Sequence, residues 1–76
     1  MRVDIYRRAE TPGAFSYLAV PENKPIPQEA INTDWQPEAR HVELDDDAEA
    51  MPTYHIDHPL QQISAKGYAI TALNDI

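Results

Sequence analysis

A chain of 76 residues without a cysteine has few ways to become a stable domain. The absence of cysteine excludes disulfides, thiolate zinc sites and thiol nucleophiles. A core of this size contributes only roughly 3–5 kcal/mol of net stability. The sequence therefore predicts a single soluble domain over residues 1–76. That domain would depend on tight packing, on a partner, or on a metal held by histidines and carboxylates.

The net charge of the chain is −7, from 13 acidic and 6 basic side chains. A field of this sign repels the phosphate backbone of nucleic acids and the anionic surface of membranes. No apolar run reaches the ~20 residues that a membrane span needs. The first residues, MRVDI, also lack the apolar segment of a secretory signal. We therefore expect a cytoplasmic protein with no nucleic-acid partner and no membrane partner.

Apolar and polar residues alternate along the first eight positions, which predicts a half-buried strand over residues 1–8. Its apolar positions are Met1, Val3 and Ile5, and its opposite face holds Arg2, Asp4, Tyr6 and Arg8. Pro12 and Gly13 mark a turn, because proline presets φ and glycine accepts positive φ. A second strand follows over residues 15–20, so an antiparallel hairpin is expected.

The last third of the chain carries the clearest helix signal. Pro59 marks a helix start with Asp57 or His58 as the cap residue, and Gly67 marks the end. The predicted helix covers about residues 58–66. The nearly continuous apolar run that follows predicts a central strand over residues 68–73.

The middle of the chain is less regular. Three prolines within residues 21–27 exclude a central strand, although Pro27 suits the start of a short helical turn near residues 27–31. Residues 39–44 are predicted to form a third strand, with Arg40, Val42 and Leu44 on one face. Together these elements predict an α+β fold. It would be a small, mostly antiparallel sheet of three or four strands with the 58–66 helix packed on one face.

Five segments spread along the chain are similar to segments of a known protein family. They are MRVDIYRR at 1–8, YLAVP at 17–21, NTDW at 32–35, HPL at 58–60 and KGYAIT at 66–71. With these segments the whole chain resembles a small family of uncharacterised bacterial proteins of about this length, classed as a domain of unknown function. The resemblance implies a stand-alone bacterial protein of the cytoplasm. It implies no activity, ligand or catalytic residue.

The candidate metal ligands are His55, Asp57 and His58, which lie close in sequence to the acidic run at residues 45–49. Imidazole and carboxylate groups are ligands that suit a divalent cation. The two histidines match neither the i, i+4 spacing of a helix nor the i, i+2 spacing of a strand. The competing interpretation is therefore a helix start with both histidines in solvent.

Signatures of other chemistry are missing from the sequence. An EF-hand loop starting at Asp45 would need glycine where Ala50 stands and glutamate where Ile56 stands. Neither Ser16 nor Ser64 lies in a Gly-x-Ser-x-Gly elbow, and two glycines are too few for a phosphate-binding loop. These features favour a protein that is not an enzyme and that carries no cofactor.

The candidate partner-binding residues are Trp35, Tyr54, Arg2 and Arg8. Trp35 and Tyr54 fall in segments predicted as loops, and aromatic residues are enriched at interface cores. The alternative for Trp35 is that the single tryptophan closes one end of the core. Arg2 and Arg8 belong to the first strand, which is net positive. If that strand is a sheet edge, it invites pairing with a second copy.

The sequence favours a small noncatalytic interaction or regulatory module of the bacterial cytoplasm. Its partner would be an unidentified protein or, in a homodimer, a second copy. The alternative is a divalent-cation-binding protein that uses the His55, Asp57 and His58 region together with the acidic loop. A third interpretation, mimicry of nucleic-acid charge, rests on the net charge alone, and such a charge is also an ordinary route to solubility.

Overall fold

The computed structural model describes residues 1–11, 13–22, 24–26 and 35–71, and these ranges contain six strands and one α-helix. The strands are β1 (Arg2–Thr11), β2 (Ala14–Pro21), β3 (Gln36–Glu43), β4 (Ala50–Met51), β5 (Ile56–Asp57) and β6 (Ala69–Ile70). The helix is α1 (Pro59–Lys66), and a short 3-10 turn covers Pro52–Tyr54. The α+β fold predicted from the sequence is confirmed. The predicted helical turn near 27–31 and the end of the predicted 68–73 strand lie outside the described residues.

The larger sheet has four strands in the order β3-β1-β2-β6, and every neighbouring pair is antiparallel. The predicted hairpin forms its centre, with Val3 opposite Pro21 at one end and Ala9 opposite Phe15 near the other. Gly13 takes a φ of 83° at the turn, a left-handed conformation that glycine adopts without steric cost. The two long strands of this hairpin are therefore the scaffold on which the shorter elements pack.

The prediction that the strand after the helix is central is wrong, because among the described residues β6 lies at the end of the sheet order. Its surroundings are nevertheless apolar. Ala69 is fully buried in the cluster against which α1 packs, and Tyr68 is 9% exposed beside Leu18 and Val20. A strand covered in this way is apolar on both faces, so its sequence resembles that of a central strand.

Alternation along β1 and β2 divides the core between the two faces of the sheet. The first cluster contains Val3, Ile5, Ala19, Leu44, Met51, Ile56 and Ala69. The second cluster contains Leu18, Val20, Trp35 and Tyr68. Leu60 and Ile63 of α1 pack against the first cluster, which confirms that the helix lies on one face of the sheet.

The bounds of α1 agree with the sequence prediction. His58 is the N-cap residue, with a left-handed φ of 49° and no capping hydrogen bond from its side chain. Gly67 ends the helix with a φ of 89°, and its N–H donates to the Ile63 carbonyl at 2.8 Å. Proline at the start and glycine at the end are local signals, which is why this element can be located from sequence.

β3 departs from regular pairing at two bulges. At the first, Arg40 and His41 of β3 together oppose Asp4, because Val3 and Ile5 pair with the residues on either side of them. His41 has a φ of 57°, which is costly for a residue that carries a Cβ. The His41 N–H donates to a carboxylate oxygen of Asp4 at 3.2 Å. The Asp4 side chain, only 8% exposed, therefore holds the bulge in place.

The bulges change which side chains of β3 face the core. Ala39 and Val42 both pack against the first cluster, although strict alternation would place them on opposite faces. Leu44 is buried in the same cluster, whereas Arg40 is exposed. The prediction that Arg40 shares a face with Val42 and Leu44 is therefore wrong, because each extra residue shifts the alternation by one position.

We expect His41→Gly to raise the free energy of unfolding by ~0.5–1 kcal/mol, because glycine adopts the left-handed conformation without a Cβ clash. The variant also loses the exposed side-chain contact between the His41 ring and Glu22, and exposed contacts of this kind contribute little. Urea unfolding followed by the fluorescence of Trp35 measures the change. Arg40→Gly, at the neighbouring bulge residue, is the matched control and should lower stability. An equal loss in both variants would contradict the expectation.

Candidate functional site

An open hollow lies beside the end of β3, where the chain runs through the acidic segment and folds back. The return is fixed by pairing between β4 and β5, with Ala50 opposite Asp57 and Met51 opposite Ile56. The hollow encloses about 250 Å³. Its lining residues are Val42, Glu43, Leu44, Asp45, Ala48, Ala50, Met51, Thr53 and Tyr54. This surface is hereafter the acidic hollow.

The floor of the acidic hollow is apolar and belongs to the core. Leu44 is 2% exposed and Met51 is 8% exposed, and both are members of the first core cluster. Val42, Ala48 and Tyr54 are half-buried and pack against that cluster. Because the floor is held by core packing, the hollow is formed before any ligand arrives, as is usual for binding sites.

The rim of the acidic hollow carries carboxylates. Glu43 and Asp45 line it, and three further acidic residues follow in the same segment: Asp46, Asp47 and Glu49. All five side chains are exposed. No lysine or arginine occurs between positions 41 and 65. The side of the molecule formed by this segment therefore presents a negative field.

The α-ammonium group of Met1 reaches the same segment. It donates to the Leu44 carbonyl at 2.9 Å. Its nitrogen lies 3.7 Å from a carboxylate oxygen of Glu43 and 3.8 Å from one of Asp46. One backbone carbonyl and two carboxylates thus hold a primary ammonium group at the edge of the acidic hollow.

The candidate partner-binding residues Trp35 and Arg8 are in contact: Trp35 belongs to the second core cluster, and Arg8 lies over its ring. Trp35 is 9% exposed, and the Arg8 guanidinium carbon lies 4.8 Å from the centre of its ring. Arg8 Nε donates to Glu10 at 2.8 Å, and the buried Ser16 hydroxyl donates to the same carboxylate oxygen at 2.6 Å. The structure therefore places Trp35 in the core and engages Arg8 within the molecule.

Tyr54 and Arg2 have different surroundings. Tyr54 lines the acidic hollow, and its ring packs edge-on against Tyr17 with centroids 5.3 Å apart. Its carbonyl accepts a hydrogen bond from the Thr71 hydroxyl at 2.9 Å. Arg2 is exposed and lies opposite Glu43 in the pairing of β1 with β3. Tyr54 is thus part of the hollow, and Arg2 is at the end of the sheet beside it.

The candidate metal ligands His55, Asp57 and His58 are all exposed. His55 and His58 have left-handed φ values of 55° and 49° on either side of β5. Among the residues that the structure describes, no group of three His, Asp or Glu side chains could hold a metal ion. The geometry of these residues therefore gives no support to the alternative of a divalent-cation site.

A second hollow of about 290 Å³ lies at the hairpin turn. It is lined by Gly13, Ala14, Phe15, Tyr17 and His55. Phe15 is 37% exposed, and the Arg7 guanidinium carbon lies 4.9 Å from the centre of its ring. Among the described residues its lining contains no carboxylate, so this second hollow is a control surface for the acidic hollow.

The apolar floor was missed by the sequence analysis. The available signal was the placement of Leu44, Ala48 and Met51, which lie before, within and after the acidic run at spacings of four and three residues. Such spacing is typical of one face of a helix. The structure instead places these residues in a loop and a short strand, where the backbone folds back and brings them together. This convergence depends on contacts between distant segments, which local patterns do not specify.

Hydrogen bonds from two residues to Glu10 predict how stability depends on pH. The Ser16 hydroxyl and the Arg8 guanidinium hold the pKa of Glu10 below its ordinary value of 4.5. Folding lowers this pKa, so the stabilisation is present above pH ~4.5 and is lost as pH falls through the folded-state value. We expect Glu10→Gln to lower stability by ~1–2 kcal/mol at pH 7 and by less at pH 3.

Urea midpoints of Glu10→Gln and of the unchanged protein, measured from pH 7 to pH 3, test this pH dependence. Glu49→Gln is the control, because Glu49 is exposed and its removal should change little at either pH. A loss in Glu10→Gln that stays constant across the range would contradict the assignment.

The elements described so far define a small α+β domain with an open hollow on one side. The chain belongs to DUF6139, a family of unknown function, whose family model matches residues 1–76. The resemblance to a family of unknown function is thereby confirmed. Comparisons with curated proteins and with solved structures each find no match. Within the described ranges, no helix has the length and apolar character needed to cross a membrane.

Proposed function

We propose that this protein is a small noncatalytic interaction module that binds a protein partner through the acidic hollow. The observation that carries the proposal is an apolar floor, made of core residues, beneath a rim of exposed carboxylates. Protein interfaces combine an apolar centre with a polar rim in the same way. Methionine is enriched in such interfaces, and Met51 lies on this floor.

The size of the acidic hollow supports a partner's side chain over an enclosed substrate. Its volume of about 250 Å³ is below the ~300–1,000 Å³ of typical small-molecule sites. The hollow is also open to solvent along its rim, where Asp45 and Thr53 are exposed. An open hollow of this size can receive part of a larger partner.

The buried Ser16 hydroxyl, which is hydrogen-bonded to the Glu10 carboxylate, also supports a noncatalytic role. Ser16 is 1% exposed, and its hydroxyl donates to Glu10 inside the molecule. A nucleophile must reach the bond that it attacks, and Ser16 is covered. The Ser16–Glu10 pair is therefore better explained as a structural contact.

A different protein is a better partner than a second copy. β1 pairs with β2 on one side and with β3 on the other, so the condition for its pairing with a second copy, a free sheet edge, is not met. Two arginines of β1 are also already paired within the molecule. Arg7 Nη1 lies 3.6 Å from Glu38 Oε1, and Arg8 is hydrogen-bonded to Glu10. Two copies that each carry a charge of −7 also repel one another.

We further propose that the module works in the bacterial cytoplasm. The complete absence of cysteine suits a reducing compartment, where disulfides would give no stability.

An unbiased peptide-display selection on the folded chain, followed by NMR mapping of the selected peptides, tests the proposed function. We expect amide shifts to concentrate on the residues that line the acidic hollow. Thr53→Arg places a long side chain at the exposed rim and should abolish binding, whereas Phe15→Ala in the second hollow should preserve it. Peptides that map to the second hollow, or a selection that yields no binder, would refute the proposal.

A further inference from the structure

We infer that the acidic hollow takes a basic segment of its protein partner, with one apolar side chain on the floor and flanking lysine or arginine side chains against the rim. This inference rests on the proposed function and adds the chemistry of the segment that binds. Three features of the molecule carry it: the charge of the rim, the ammonium group already held there, and the shape of the floor.

The charge of the rim favours a cationic ligand. Asp45 lines the hollow, and Asp47 and Glu49 follow it in the same exposed segment. Within the described ranges these three carboxylates form no ion pair with a lysine or arginine of the chain. The carboxylates of Asp45, Asp47 and Glu49, which have no lysine or arginine beside them among the described residues, repel one another, and a basic partner relieves that repulsion as it binds.

The position of the Met1 α-ammonium shows which cation the rim accommodates. That group is held by the Leu44 carbonyl at 2.9 Å and by carboxylates of Glu43 and Asp46 within 3.8 Å. A lysine side chain ends in the same group, with three donors and one positive charge. The exposed carboxylate of Asp45, which also lines the hollow, is an acceptor of the same kind for a lysine ammonium group.

The floor favours one apolar anchor between the basic residues. Its side chains belong to the core or pack against it, so an inserted aliphatic group meets a surface that is already fixed. Met51 adds a polarizable thioether to this surface, and such a group packs favourably against leucine, isoleucine or methionine. A simple cation, such as a metal ion or a polyamine, leaves this apolar surface exposed to water and gains nothing from it.

Other macromolecular partners fit the hollow less well. Nucleic acids and anionic membranes are repelled by the carboxylates of the rim. A second copy carries the same net charge of −7. The exposed cations of the described chain, at Arg2, Lys24, Arg40 and Lys66, are scattered over four elements and loops instead of flanking one apolar residue. A basic segment of another protein therefore satisfies both the floor and the rim.

The test uses three synthetic peptides with one Gly/Ser framework and the cores Lys-Lys-Leu-Lys-Lys, Glu-Glu-Leu-Glu-Glu and Lys-Lys-Ala-Lys-Lys. In NMR titrations of the full chain, the first peptide should shift the residues that line the acidic hollow. Replacing leucine by alanine should weaken binding about tenfold, because the anchor loses most of its buried apolar area. The acidic peptide should not bind. Raising NaCl from 50 to 500 mM should weaken the first peptide about tenfold, because salt screens exposed charges.

Two charge-matched variants locate the interaction. Asp45→Asn removes a carboxylate that lines the hollow, and Asp57→Asn removes one exposed carboxylate of β5 that lies outside it. We expect the first variant to weaken the lysine peptide about threefold or more and the second to leave it nearly unchanged. An equal loss in both would show only a general charge effect and would overturn the inference.

The failure of this inference can be distinguished from the failure of the proposed function. If display-selected peptides bind in the hollow but carry no excess of lysine or arginine, the inference is wrong and the interaction module stands. If no peptide binds there, the proposed function itself fails. A concentration-dependent dimer whose amide shifts fall on the hollow would identify a second copy as the occupant and would likewise overturn the inference.

Discussion

Ile56→Ala is expected to lower the free energy of unfolding by ~2–5 kcal/mol. Ile56 is fully buried in the first core cluster, and it lies opposite Met51 in the pairing of β4 with β5. Truncation removes apolar contacts and leaves a cavity beneath the floor of the acidic hollow. Because a domain of this size has roughly 3–5 kcal/mol of net stability, we expect much of the variant to be unfolded at 25 °C.

Circular dichroism and Trp35 fluorescence during urea unfolding measure this loss. Ile56→Val is the graded control, because it removes one methylene at the same position and should cost ~0.5–1.5 kcal/mol. If the alanine variant were no less stable than the valine variant, the segment from β4 to β5 would not pack on the sheet as described. The acidic hollow would then lose its preformed floor.

Gln62→Ala is expected to lower the free energy of unfolding by ~1–3 kcal/mol, because one side-chain amide serves several backbone groups. Gln62 Oε1 accepts the Ile70 N–H at 3.1 Å, and Nε2 donates to the Asp57 carbonyl at 2.6 Å and to the Ile70 carbonyl at 3.4 Å. The Gln62 amide thus bonds both the N–H and the C=O of Ile70, as the backbone of a further strand beside β6 would. Its removal takes these three hydrogen bonds away from the backbone groups of Asp57 and Ile70.

Urea unfolding and hydrogen exchange at the Ile70 amide test this role. Gln61→Ala is the matched control, because Gln61 is exposed on the same helix and its truncation should change stability by less than ~0.5 kcal/mol. Exchange at Ile70 should accelerate in Gln62→Ala and stay unchanged in Gln61→Ala. Similar stabilities and similar exchange in the two variants would show that Gln62 does not fasten β6.

The parts of the fold that were predicted from sequence are those with local signals. Alternation along residues 1–8 and the Pro12–Gly13 turn identify the hairpin, because both act over a few residues. Pro59 and Gly67 locate α1 within one residue of its observed bounds. These signals depend on backbone geometry at single positions, and distant contacts do not alter them.

The parts that were missed depend on long-range contacts. No local sequence pattern predicts the left-handed φ of His41, because the bulge is held by Asp4, which is 37 positions away. The same contact buries Asp4, which the alternation had assigned to the polar face. The position of β6 depends on its pairing with β2, and the sequence of a covered edge strand resembles that of a central one.

The candidate site was predicted in part. The acidic run and Tyr54 were singled out from sequence, and Asp45 of that run and Tyr54 line the acidic hollow. Trp35 was left between a core role and a partner-binding role, and its 9% exposure favours the core. The apolar floor could not be recognised, because its residues meet only after β4 and β5 pair and return the chain to the sheet.

The bulges of β3 have a consequence for the protein at high concentration. In the part of the chain that the structure describes, β3 has a neighbour on one side only. A regular strand in that position would be a template on which further chains add, as in the growth of fibrils. Two bulges and Pro37 break the even spacing of its outward N–H and C=O groups. The unpaired side of the sheet is therefore protected against self-templated aggregation.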